Sequence, residues 1–127
     1  TWARMITDAD ANAFVYQFTH VPPSPNAAAW GAYHASEIPY VFGTLRNRNW
    51  PYTDVDFKLS DEMSSYWVNF ATSGDPNGKG LEKWTPYDRA NEPYLELGDT
   101  VQTKHHLLKA QLDFLETVQQ RRARSQQ

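Results

Sequence analysis

Five tryptophans, Trp2, Trp30, Trp50, Trp67 and Trp84, are spread along nearly the whole of this 127-residue sequence, and they set the first constraint on how it folds. Each ring brings roughly 150–250 Å² of surface that is driven to pack. The elements available to cover that surface are few. Ala13 to His20, AFVYQFTH, reads as a strand, with Phe14, Tyr16 and Phe18 on one parity. Pro22, Pro23 and Pro25 end it and open a long loop that runs past Trp30 to His34. One central helix, a short strand over Glu92 to Leu97 and a last helix over 104–120 complete the reading. Two strands and one central helix cannot close a sheet over this much aromatic bulk. The pattern predicts part of a larger domain, and an opening at Trp2-Ala3-Arg4-Met5 that reads as though within a helix points the same way.

The central helix carries the firmest local signals. Ser60 reads as its N-cap, with Asp61 and Glu62 in a first turn that favours acids. Met63, Tyr66, Trp67 and Phe70 follow at i, i+3, i+4 and i+7, one apolar face expected in the core. Gly74 and the turn Asp75-Pro76-Asn77-Gly78 stop it. In the last helix Leu108, Leu112, Leu115 and Val118 share a side. No repeat or linker divides the chain, so residues 1–127 are read as one segment without an internal domain boundary.

Composition excludes several function classes. A net charge of -3 and an isoelectric point near 5.7 argue against a nucleic-acid-binding face. Arg121, Arg122 and Arg124 read as a solvated polar end. Mean hydropathy is -0.71, and no apolar run approaches the roughly 20 residues of a membrane span. The absence of cysteine excludes disulfides, thiolate chemistry and Cys-based zinc sites within the segment. Compartment stays open.

Four histidines are the remaining candidates for chemistry. His105 and His106, read on a helix, diverge by about 100° and cannot chelate one ion together, so no metal site is expected there. His20 reads as a surface residue at a strand end. His34 sits in a Gly-containing loop, and by spacing alone it is either a structural histidine or a general base reaching over a sheet edge. Asp54, Asp56, Asp61 and Glu62 offer no pair placed for acid–base work, and Ser36, Ser64 and Ser65 lack the Gly-x-Ser-x-Gly elbow of a serine nucleophile.

Longer blocks carry a resemblance. Residues 31–43, GAYHASEIPYVFG, resemble the catalytic-histidine block of the type-B carboxylesterases, the family of the cholinesterases and para-nitrobenzyl esterase. Residues 59–88 resemble the block that follows it, a helix ending in a Gly-Asp-Pro-Asn turn and a Trp-containing loop. FVYQFTH and EPYLELGD are similar to the flanking strands. The resemblance implies an α/β fold: the C-terminal portion of an α/β-hydrolase, with the last strands and helices of a mostly parallel sheet. Triad order in that fold is serine, acid, histidine. The resemblance therefore makes His34 the catalytic histidine and Glu37 a supporting residue behind it. It further implies hydrolysis of small-molecule carboxylic esters through an acyl-enzyme, with neither cofactor nor metal. Serine and acid would come from the remainder of the same domain, leaving this segment inactive alone. The family also includes non-catalytic adhesion proteins such as the neuroligins, an alternative that His34 by itself does not decide.

Overall fold

A computed structural model of the chain describes residues 2–125. Helix α1 (Trp2–Asp8) precedes strand β1 (Tyr16–Phe18), then two short helices, α2 (Ala27–Trp30) and α3 (Ile38–Val41). A single 3-10 turn (Leu45–Asn47) leads to the long helix α4 (Asp54–Ser73), followed by strands β2 (Pro93–Leu97) and β3 (Val101–His105) and helix α5 (Lys109–Arg124). The sheet order is β1-β2-β3. β1 runs parallel to β2, Tyr16 opposite Leu95 and Phe18 opposite Leu97. β2 and β3 are antiparallel, with Pro93 opposite His105 and Leu97 opposite Val101.

β1 is shorter than the eight residues expected of it, yet its pairing overruns its ends. Leu95 N–H donates to the Val15 carbonyl at 2.9 Å, and Thr19 N–H to that of Leu97 at 3.0 Å. As the middle strand, β2 is covered on both faces: Leu95 and Leu97 are fully buried, and Tyr94 is nearly so.

Two helix boundaries differ from expectation. α4 starts at Asp54, not after Ser60, because Thr53 adopts the extended cap conformation and Asp56, at the third helical position, reaches back to it. The Asp56 carboxylate accepts the Thr53 N–H at 2.8 Å and its hydroxyl at 2.9 Å. Asp54 and Asp56, not Asp61 and Glu62, therefore occupy the first turn. Ser60 lies inside the helix and donates to the Tyr40 carbonyl at 2.8 Å. The helix expected over 104–120 begins only at Lys109. Gly98, Asp99 and Thr100 turn the chain back so that 101–105 pairs along β2, and these ladder bonds take Lys104 and His105 out of the expected helix. His105 thus ends a strand, and His106 at φ 59° and Leu108 at φ 43° reverse the chain before α5.

The core joins α4 to the sheet. Tyr40, Leu45, Leu59, Met63, Tyr66, Trp84, Leu95 and Leu97 form one buried cluster, with Phe14, Tyr16, Phe18 and Trp67 packed against it. Phe70, expected in the core, is 49% exposed, and its ring meets that of Phe14 edge-on at 5.9 Å. Gly74, at φ 78°, closes α4 in the left-handed conformation, and its N–H donates to the Phe70 carbonyl at 2.8 Å. Asn77 then locks the Asp-Pro-Asn-Gly turn to Trp84, accepting its N–H at 2.8 Å and donating to its carbonyl at 3.0 Å.

One ionic cluster ties the chain ends together. Arg4 of α1 bonds Glu92, ahead of β2, and also Asp113 and Glu116 of α5. The Arg4 guanidinium, helped by His106 and Lys109 and opposed by burial, holds the Glu92 carboxyl down at about 2. A carboxyl lowered on folding stabilises the fold above its unfolded pKa of 4.5, and that stabilisation is lost as pH falls from there towards 2. Glu92→Gln is expected to flatten this part of the acid-unfolding curve and to cost about 1–2 kcal/mol at neutral pH. Urea midpoints of the wild type and variant between pH 3 and 7 check it; parallel curves would refute the pairing.

Candidate functional site

The chain reaches His34 by a route that the backbone specifies closely. β1 ends in the proline cluster, where Pro22 is fully buried. α2 follows, closed by Gly31 at φ 55°, whose N–H donates to the Ala27 carbonyl at 2.9 Å. His34 lies three residues on, with its side chain exposed. Glu37, half-buried, is the N-cap residue of α3, and its carbonyl accepts the N–H groups of Tyr40 at 3.0 Å and Val41 at 3.1 Å. Burial, and after it the Glu37 charge, pushes the Tyr16 phenol of β1 upward. Trp30 packs edge-on against Tyr33 at 5.5 Å beside His34. Among the described residues, neither His34 nor Glu37 takes part in a side-chain hydrogen bond, and no serine or carboxylate is brought to the His34 ring.

Ala35, directly after His34, sits at φ 66°. A side chain there crowds the backbone at roughly 1–2 kcal/mol, so the turn is held by its surroundings, including the fully buried Ser36 that follows. A β-branched residue adds to that crowding. Ala35→Val is expected to destabilise the protein by about 2 kcal/mol or more, whereas Ala35→Gly should be neutral or mildly stabilising. Equal thermal midpoints for the two variants would refute the strain.

The sequence reading missed a polar centre next to this loop. His20 is not a surface residue: it is 7% exposed, and both ring nitrogens face carboxylate oxygens. Nε2 lies 2.8 Å from Asp56 Oδ1, and Nδ1 lies 2.6 Å from Asp99 Oδ1. Each ring nitrogen is placed to donate to the carboxylate it faces, and the tautomer sets which of the two bonds carries the proton. The Tyr40 hydroxyl donates to the same Asp56 oxygen at 2.7 Å. Asp56 is thus a buried carboxylate with four donors. Burial alone would push its carboxyl up; the bonds from Thr53, Tyr40 and His20 outweigh that and leave it below its ordinary value. Burial, with Asp56 next to it, pushes the Tyr40 phenol far up. The signal for this centre is faint in one dimension, since its members are separated by 16 to 79 positions in sequence. Among the described residues no group of three or more potential ligands is placed to hold a metal ion.

The sequence profile of the carboxylesterase family matches residues 1–115. The chain belongs to the carboxylesterase family. It is 36% identical over 120 residues to the medium-chain fatty acyl-CoA hydrolase precursor of Anas platyrhynchos, covering 88% of this chain and 20% of that protein. Carboxylesterase 5A of Mus musculus is 37% identical over 120 residues, covering 88% and 21%. Among solved structures, a PNB esterase superposes with a TM-score of 0.67 at 27% identity, covering 81% of this chain and 21% of that one. The chain is accordingly part of an α/β-hydrolase fold and spans about a fifth of the length of the relatives it matches.

Proposed function

We propose that the full-length protein is a carboxylic ester hydrolase working through an acyl-enzyme, and that residues 1–127 form the C-terminal segment of its single α/β-hydrolase domain. His34 is the triad histidine. The observation that carries this reading is the position of the GAYHASEIPYVFG block inside the family match, on an exposed loop that follows the parallel strand β1. Exposure of the His34 ring leaves it free to meet a serine and an acid from the remainder of the domain. Two further features support such a remainder: among the described residues β1 pairs on one side only, and Trp2, Phe42, Phe70 and Phe114 are each at least 49% exposed.

In this mechanism His34 takes the proton of the serine hydroxyl as its oxygen attacks the ester carbonyl, and returns it to the departing alcohol. Water, deprotonated by the same ring, then releases the acid. The triad acid holds the other ring nitrogen and stabilises the imidazolium, and Glu37 supports the loop from the N-terminus of α3. The substrate is a small carboxylic ester, with no metal or cofactor in any step. This segment alone is inactive.

The test has two parts. The coding sequence upstream should contain Gly-x-Ser-x-Gly followed by a triad acid, and the full-length protein should hydrolyse para-nitrophenyl esters. An elbow without serine, together with no ester turnover, would replace this reading with the adhesion-type one.

A further inference from the structure

Asp56 is the point at which four parts of the chain meet: the end of β1 through His20, helix α3 through Tyr40, the entry to α4 through Thr53, and the β2–β3 turn through His20 and Asp99. Most of its bonds have an ordinary structural use. The Thr53 contacts cap α4, and the Asp99 end is 80% exposed and adds little by itself. Tyr40 is different. It is fully buried, its ring packs against Phe18 at 5.3 Å and His20 at 5.4 Å, and its hydroxyl is spent wholly on Asp56. Tyr40 lies in α3, the helix whose N-cap position Glu37 occupies and into which the His34 turn runs without an intervening loop.

We infer that Tyr40, Asp56 and His20 form a positioning network for His34, fixing α3, and with it the strained His34–Ala35 turn, against β1 and α4. The inference rests on the reading of His34 as the triad base. A general base is effective only within hydrogen-bond reach of the proton it takes, so a shift of about 1 Å in its loop costs on the order of 100-fold in rate without altering substrate contacts. A surface loop cannot hold its own residue to that tolerance. Here α3 is pinned from one side by Ser60 and Ser64, which donate to the carbonyls of Tyr40 at 2.8 Å and Val41 at 2.6 Å. These bonds hold its backbone to α4. The Tyr40–Asp56–His20 chain adds the remaining direction, tying the helix to the end of the strand from which the His34 loop departs. Each carboxylate bond is charge-assisted, and the centre is buried, so it is stiff.

The full-length protein carries the test, with Tyr40→Phe, Asp56→Asn and the double variant, and Asn77→Ala as a destabilised control away from α3. Loss of the network is expected to lower kcat on para-nitrophenyl butyrate by about 10- to 100-fold while KM stays within about twofold. The double variant should be no worse than Asp56→Asn, because both changes break one chain of bonds. Near-ultraviolet circular dichroism confirms the folded state, and Tyr40→Phe, which removes a single oxygen, decides the question if Asp56→Asn does not fold. A folded Tyr40→Phe with kcat within twofold of wild type overturns the inference, as does an equal fall in kcat for Asn77→Ala at matched thermal stability. A wild-type protein without esterase activity removes the underlying reading as well, an outcome distinct from an active wild type whose variants are equally active.

Discussion

Replacing His34 by alanine in the full-length protein is expected to lower ester turnover by about 10⁴- to 10⁶-fold, the range seen when a triad member is removed. Folding should survive, because the ring is exposed, and surface substitutions of this kind usually stay within about 0.5 kcal/mol. That combination separates a chemical role from a structural one. Substrate binding should change little, since the histidine acts on protons in the transition state and not on the resting ester. Steady-state kinetics together with a thermal melt would check it. Residual turnover above about one hundredth of wild type would reject His34 as the base and return attention to His20, the histidine already held by two carboxylates.

Trp84→Ala is expected to be the most damaging core substitution, at about 3–5 kcal/mol. Trp84 is 4% exposed, and its ring meets Phe14, Tyr16, Tyr66 and Trp67 at centroid distances of 5.4 to 6.0 Å. Its indole N–H donates to the Val15 carbonyl at 3.0 Å, beside β1, and its backbone is held by Asn77. One side chain thus joins the end of the α4 turn to the strand that leads towards His34. A domain's net stability is only about 5–15 kcal/mol, so this loss would take a large share of it. Trp84→Phe keeps most of the ring contacts but forfeits the N–H bond, and should cost about 1–2 kcal/mol more than a volume-conserving aromatic exchange. Denaturant midpoints of the two variants measure the difference. A Trp84→Ala protein as stable as wild type would show that the aromatic cluster does not carry the fold.

Local features with a self-contained cause were legible along the chain. The stop at Gly74 needs only the left-handed φ that glycine permits, and the Asp-Pro-Asn-Gly turn needs only its own side chains. The parity of Phe14, Tyr16 and Phe18 follows from the two-residue period of a strand, and all three pack on the core. Features whose cause lies elsewhere in the fold were misread. Lys104 and His105 were read into the last helix because they have little intrinsic preference, and their state is decided by β2 alongside. Phe70 sits at the right helical phase for burial, yet it is 49% exposed.

What the sequence by itself determined is the family, through two long blocks in order, and with it the loop on which His34 stands. Tertiary structure alone decided that His20, Tyr40 and Asp56 meet. The reason is physical: a buried carboxylate is tolerable only where several donors converge, and that convergence of a strand end, a helix and a cap is a property of three-dimensional packing that no spacing along the chain encodes.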